Sequence, residues 1–381
     1  MKFFHLSDLH IGLKLINRDL REDQEYIFHQ IAELAIRERP DALVIAGDIY
    51  DKAVPSAEAM EVLDGFIEEL TQNLPDLVIM MISGNHDSSE RLSFGRNLFK
   101  RSNLYIASQF NQEIEKITIK EDGYNINFYM LPFVKPAYIN HVLKIQTETY
   151  EECFKHLMEQ VKINEDETNI LLAHQFVTVG KNSPELSDSE TSSLGGIDNI
   201  DYRLFDAFDY VALGHIHKPQ AMGREMVRYA GSILKYSFSE IHKDKQATIL
   251  TISKNKQISL SHHLLKPLRD MREMECSLES LLKRKCEIGN EEDYMHVILT
   301  DEEQILDAIG KVRTIYPNVM QISFKNRRHM MQYETIQMKE NQIADQNPME
   351  LFEQFYKMQN HIDLDEKRAQ MAISIFEEVI R

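Results

Sequence analysis

Five short apolar runs, each leading straight into a block of aspartate, asparagine or histidine, constrain this chain more than any other feature. The runs are Phe3-Phe4-His5-Leu6, Ala42-Leu43-Val44-Ile45-Ala46, Leu77-Val78-Ile79-Met80-Met81-Ile82, Ile170-Leu171-Leu172-Ala173 and Tyr210-Val211-Ala212-Leu213. Short runs without polar alternation read as strands buried on both faces. Amphipathic stretches lie between them; Tyr26 to Arg37 places Ile27, Ile31, Leu34 and Ala35 on one helical face. Strand–helix alternation of this kind predicts an α/β layered domain.

The blocks that follow the runs are Asp8-Leu9-His10, Gly47-Asp48-Ile49-Tyr50-Asp51, Gly84-Asn85-His86-Asp87, His174, and Gly214-His215-Ile216-His217. Loops at the carboxyl ends of strands are where open α/β sheets bind ligands. Carboxylate, amide oxygen and imidazole together suit divalent ions of intermediate hardness such as manganese or iron, and no thiolate is present to favour structural zinc. In Asp8-x-His10 and His215-x-His217, residues two apart in an extended segment point the same way and can face one cluster. Gly47, Gly84 and Gly214 adjoin these residues and are expected to permit tight turns. A strand-end aspartate shared by two ions is a natural bridge, and Asp48 is the candidate. Each block alone is weak, because Asp-x-His arises by chance and a single histidine such as His174 is more often a core or surface residue. The ordered set, every member following a strand, is specific.

At 381 residues the chain is expected to form two or three units. No signal peptide and no membrane-spanning run is read from the sequence. Cys153, Cys276 and Cys286 lack a Cys-x-x-Cys spacing, so they read as reduced thiols in a cytoplasmic protein. A net charge of −18 predicts weak binding of nucleic acid by the chain alone and a partner that supplies positive surface.

The character of the sequence changes near residue 268. The expected organisation is a catalytic domain over 1–268, a small α/β capping domain over 269–330, a linker over 331–344 and a helical segment over 345–381. In the capping domain Met274 to Leu282 and Met295 to Leu299 read as strand-like or short helical pieces. Ile305 to Ile315 reads as a helix with Ile305, Leu306, Ile309 and Val312 inward, and Met320 to Phe324 as a strand. In the last segment Leu351, Phe355, Met358 and Ile362 recur at helical spacing, and Ala372, Ile375, Phe376 and Val379 form a second stripe.

The ordered metal-type blocks resemble the calcineurin-like metallophosphoesterases, whose fold has two central sheets flanked by helices. That resemblance implies Asp8, His10, Asp48 and His217 around one ion, and Asp48, Asn85, His174 and His215 around the other. His86 is then the catalytic acid, oriented by Asp87. Within the superfamily the chain is similar to the SbcD family of bacterial nuclease subunits, through Leu6 to Gly12, Ala46 to Asp51, Ser83 to Ser88, Tyr210 to Gln220, Tyr229 to Ser232 and Tyr236-Ser237-Phe238. Asp51, an auxiliary candidate, stands where archaeal relatives have a second histidine, and Ile233 replaces the usual proline after Gly231-Ser232.

The SbcD resemblance implies a DNA nuclease, a 3′-to-5′ double-strand exonuclease and single-strand or hairpin endonuclease. It further implies two divalent ions, Mn²⁺ foremost, and homodimerisation of the nuclease domain within a heterotetramer. The partner is an SbcC-like ABC-type ATPase with a coiled coil, docked through residues 345–381. Two ions sharing a carboxylate would activate water and clamp the phosphate, while His86 protonates the leaving oxygen. Two other readings stand beside it. A small-molecule phosphatase or cyclic-nucleotide phosphodiesterase shares the metal set but needs no C-terminal unit. A metal-free interaction scaffold would have shed ligands, yet all are present. Lys14, Arg18 and Arg91, with Arg21, Arg96, Lys100 and Arg101, are candidate DNA contacts because they flank the metal blocks. The loop from Lys181 to Gly196 reads equally as substrate recognition or as plain surface.

Overall fold

The computed structural model describes residues 1–325, except 122, 191–198, 287, 288 and 304, together with 352, 353, 356, 357, 364, 368 and 369. The expected linker and most of the C-terminal segment, including both of its apolar stripes, therefore lie outside the described residues. Two compact units emerge. The first comprises Met1–Glu273, Ile288–His296 and Tyr316–Gln321; the second comprises Met274–Glu287, Val297–Ile315 and Ile322–Arg381.

In chain order the principal strands of the first unit are β1 (Lys2–Leu6), β2 (Ala42–Ala46), β3 (Val78–Ile82), β4 (Leu104–Ala107), β5 (Glu115–Glu121), β6 (Tyr124–Leu131), β7 (Thr168–His174), β8 (Tyr210–Gly214), β9 (Gln220–Met222), β10 (Arg224–Tyr229), β11 (Lys245–Ile252) and β12 (Ile258–Leu265). They form two six-stranded sheets, ordered β12-β11-β1-β2-β3-β4 and β9-β10-β8-β7-β6-β5. β1 to β4 run parallel. So do β6, β7, β8 and β10.

The continuous apolar runs follow from this layering. Phe3 points between the sheets, where its ring meets Phe128 at 5.4 Å and Tyr210 at 6.0 Å. Phe4, its neighbour on the pleat, joins the cluster under α1 (Arg21–Glu38) and α2 (Ala57–Asn73). Both faces of the strand are thus dry, and burying each such ring stabilises the fold by about 1.5–3 kcal/mol. α1 begins before the stretch that the apolar periodicity outlines, with Glu22 and Asp23 in its first turn, where acidic side chains favour the helix N-terminus. Ser56 caps α2, its side chain accepting from the Ala59 amide. The second sheet is covered by its own apolar cluster, which includes Ile139, Phe154 and Leu157 of the helices Pro136–Leu143 and Tyr150–Glu159.

A three-stranded sheet comprises Met271–Cys276, Tyr294–Leu299 and Val319–Phe324 in that order. The expected helix over 305–315 is shorter, Ala308–Arg313. Asp307 sits in the left-handed region at φ 48° and its carboxylate accepts from the Gly310 amide at 3.2 Å, which starts the helix there. Val312 alone of the four expected inward residues is fully buried; Leu306 is 78% exposed and Ile309 36%. Among the described residues no helix is long and apolar enough to cross a membrane.

Candidate metal centre

The loops after β1, β2 and β3 meet the ends of β7 and β8 at one edge of the sandwich, so ligands arrive from both sheets. Asp48 Oδ2 lies 3.3 Å from His174 Nε2 and 3.7 Å from His10 Nε2. Asn85 Oδ1 lies 3.0 Å from His174 Nε2 and 3.0 Å from His215 Nδ1. His10 Nε2 and His217 Nε2 face each other at 3.1 Å. Asp8 offers an oxygen within 4.8 Å both of His10 and His217 and of Asp48 and His174.

These separations suit metal ligation. Two nitrogens at right angles on one divalent ion, with bonds of about 2.1 Å, stand about 3 Å apart. His174 Nδ1 donates to the Ala46 carbonyl at 2.8 Å, which leaves Nε2 as the ring atom that faces Asp48 and Asn85. Among the described residues, Nδ1 of buried His10 has no hydrogen-bond partner, and a carboxylate oxygen of Asp51 is 3.9 Å away. The donor set fits divalent cations.

The electrostatics describe a site built around concentrated negative charge. Burial pushes the Asp48 carboxyl up, but the neighbouring His174 outweighs it and holds Asp48 well below the usual carboxylate range. Burial lowers His174, and Asp48 carries it back up to about 9. His215 is depressed to about 3 by burial and then by His174. Burial raises the Asp8 carboxyl.

The backbone is unusual at the same places. Asp8, His10, Asp48 and His215 take φ of 52°, 44°, 50° and 105°. Non-glycine residues in that region concentrate at functional sites. Gly84 and Gly214 serve a different purpose from the expected turn, since neither has a left-handed φ. A Cβ at Gly84 would lie 2.1 Å from Asp48 Oδ1, and one at Gly214 would lie 1.8 Å from the Ala46 carbonyl.

His86 lies at the rim. Its ring packs edge-on to His10 at 4.9 Å between centroids, and it too has a nitrogen within 4.8 Å of donors on His10 and Asp48. Its Nδ1 bonds the Asp51 backbone carbonyl at 2.9 Å, and its amide donates to Asp48 Oδ1 at 2.9 Å. The expected orientation of His86 by Asp87 is not what is found. Asp87 accepts from the amides of Gly84, Tyr50 and Ile49 at 2.8, 2.9 and 3.1 Å. Three backbone donors at the turn take its lone pairs, so Asp87 ties the β2 loop to the β3 loop. Burial, followed by Asp48, pushes its carboxyl up to about 6.

Of the candidate DNA contacts, Lys14 and Arg21 line, with Lys52, a cleft that reaches Asp51. Arg91 borders a groove next to Ser88. Arg18 donates to the Pro317 carbonyl at 2.9 Å and Lys100 pairs with Glu115 at 2.5 Å, so both already have protein partners. Other supports are absent from the sequence reading. Gln24 of α1 donates to the His10 carbonyl at 2.8 Å and accepts from the Gly12 amide at 3.0 Å, fixing the Asp8–Gly12 turn. Ser189, Glu190, Glu240 and Lys245 surround His217. These partners are distant in sequence and carry no motif.

The calcineurin-like phosphoesterase family matches residues 1–219. A second family, described as the type 5 capsule protein repressor C-terminal domain of SbcD, matches residues 267–360. The SbcD subunit of the SbcCD nuclease of Staphylococcus epidermidis is 35% identical over 361 residues, covering 94% of this chain and 93% of that protein. The chain therefore belongs to the calcineurin-like phosphoesterases and, within them, to the SbcD nuclease-subunit family. Among solved structures, a dimetal phosphatase from Danio rerio is 13% identical with a TM-score of 0.43, covering 70% of this chain and 98% of its own. A protein of Thermus thermophilus, TT1561, is 12% identical with a TM-score of 0.38, covering 68% and 97%.

Proposed function

We propose that this chain is a metal-dependent DNA nuclease, hydrolysing phosphodiesters as a 3′-to-5′ double-strand exonuclease and as a single-strand or hairpin endonuclease. The observation that carries the reading is the convergence of seven donors, Asp8, His10, Asp48, Asn85, His174, His215 and His217, on one edge of the sandwich. The relation to an SbcCD nuclease component along nearly the whole chain supports DNA as the substrate. Two divalent ions, manganese in the first place, would be held by this set with Asp48 shared; when bound they supply Lewis acidity and a water made nucleophilic near neutral pH.

The chain's own residues do the rest. Asp48 and Asp8 give the site its anionic centre, and His174 and His215 present their free nitrogens toward Asn85. His86, held at Nδ1 by the Asp51 carbonyl, has Nε2 as the group that delivers a proton to the leaving sugar oxygen. Lys14 and Arg21, in the cleft that reaches Asp51, and Arg91, in the groove beside Ser88, would contact the DNA backbone. The partner is an SbcC-like ABC-type ATPase, engaged through residues 345–381. Exposed Met60 and Phe94 line one groove with Phe99, an apolar surface that suits a homodimer of the nuclease unit.

The test is cleavage of hairpin and linear duplex DNA with Mn²⁺, with and without the ATPase, alongside a small phosphate monoester. Cleavage of DNA that EDTA abolishes is expected. Hydrolysis of the monoester with intact DNA would overturn the reading in favour of a phosphatase.

A further inference from the structure

His217 is gripped at three points by residues remote in sequence. Its backbone amide donates to the Glu190 carboxylate, whose other oxygen accepts from the Ser187 amide at 2.6 Å. Its carbonyl accepts from the Lys245 ammonium at 2.9 Å. Its ring Nδ1 meets the Ser189 hydroxyl at 2.9 Å, and that hydroxyl donates to Glu240 Oε1 at 3.0 Å.

The placement of protons fixes the direction of this chain. A serine hydroxyl has one proton and two lone pairs. The Ser189 proton goes to Glu240, whose carboxylate can only accept, so toward His217 and toward the Ser187 hydroxyl at 2.8 Å the oxygen accepts. The neutral His217 ring must then carry its proton on Nδ1, which leaves Nε2 unprotonated. That Nε2 is the atom facing His10 Nε2 at 3.1 Å. Glu240 is itself anchored: its second oxygen takes the Lys245 ammonium, and the pair is buried at 0% and 3% side-chain exposure. Lys245 directs its remaining protons to the His217 carbonyl and to Ser232 Oγ at 2.7 Å. A buried ion pair with every proton placed is a rigid foundation rather than a surface accident.

We infer that Ser189 is a positioning residue that sets the tautomer of His217 for metal ligation, through a relay running from Lys245 and Glu240 to the serine hydroxyl. The inference rests on the two-metal reading of the site. It also gives a function to the described part of the 181–196 loop: Ser187, Ser189 and Glu190 brace one metal ligand. Partners of this kind around a metal-bound histidine typically contribute about 10–100-fold in metal affinity.

The test is Mn²⁺ titration of the full-length chain by calorimetry, with bound ions counted by electron paramagnetic resonance, for wild type, Ser189→Ala and Ser189→Thr. Ser189→Ala should bind one ion as the wild type does and the other about 10–100-fold more weakly. Ser189→Thr, which keeps the hydroxyl, should restore the second ion. Melting of the metal-free proteins shows whether the alanine change disturbs the fold itself. Unchanged affinity at both sites in Ser189→Ala overturns the inference, as does equal weakening of both ions together with a lowered metal-free melting temperature. A wild type that binds no Mn²⁺ would instead strike down the metal reading on which the inference stands.

Discussion

Asp48 and His174 join the two sheets of the sandwich through a contact of 3.3 Å between Oδ2 and Nε2. The aspartate follows β2 of one sheet and the histidine ends β7 of the other. The same Oδ2 faces His10 at 3.7 Å, so one oxygen serves both halves of the donor set.

Asp48→Ala should therefore cost more than any other single ligand change. Bound metal is expected to fall below one ion per chain and DNA cleavage to background. Metal analysis of the purified variant decides it, and two ions at full occupancy would rule Asp48 out as the shared ligand.

His86→Ala should separate chemistry from binding. The His86 ring sits at the rim with Nδ1 tied to Asp51, so its loss should leave the metals and DNA affinity intact. Cleavage is expected to slow by about 10²–10⁴-fold. Single-turnover rates beside metal counts make the comparison; departure of an ion would show His86 to be a ligand.

Gly84→Ala tests close approach rather than turn geometry. The added Cβ would meet Asp48 Oδ1 at 2.1 Å, and the aspartate would have to move. Overpacking of this sort destabilises by about 1–3 kcal/mol, and metal affinity should fall with it. Chemical denaturation and Mn²⁺ titration report the two effects; wild-type values in both would show that the loop yields freely.

His5 predicts a pH dependence away from the metals. It is fully buried, with Nδ1 at 2.9 Å from the Tyr210 hydroxyl and Nε2 at 3.2 Å from the Leu213 carbonyl. Burial depresses it to about 3, below the 6.5 of an unfolded chain. The unfolded state then binds the extra proton, so this contribution is complete above about pH 6.5 and is lost as pH falls toward 3. The loss is about 2 kcal/mol by pH 5. Urea unfolding of metal-free wild type and His5→Gln at pH 7 and pH 5 measures it. The variant should lose less stability on acidification, and equal losses would exclude His5 as the source.

Removal of residues 345–381 should leave a folded, Mn²⁺-dependent nuclease that no longer co-purifies with the ATPase. Among the described residues, the apolar clusters of the first unit draw on none beyond Met320, so its core survives the deletion. Persistence of the complex at unchanged affinity would refute docking through this segment.

What can be read in the sequence is local. Strands buried on both faces appear as unbroken apolar runs, and Ala42–Ala46 is a strand over the residues that its composition marks. β11 and β12 escape because β12 mixes Ser259, Ser261, His262 and His263 with its apolar residues, as a half-exposed edge strand must. For Asp87, adjacency in sequence suggests a pairing with His86, whereas the fold brings three backbone amides to it. The partners of His217 are invisible for the opposite reason: Glu240 and Lys245 lie more than twenty residues away, and only tertiary packing joins them to it.

The placement of the donors on two sheets also bears on how the protein is made. A chain emerging from the ribosome carries Asp8, His10, Asp48 and Asn85 early, but His174, His215 and His217 follow much later. β1, which leads to the first two ligands, still lacks its antiparallel neighbour until residues 245–252 arrive. An interrupted or nascent copy thus has half a metal site and an open sheet edge. The donor set is whole only once both layers have closed, so unfinished copies lack the means to hydrolyse a phosphodiester.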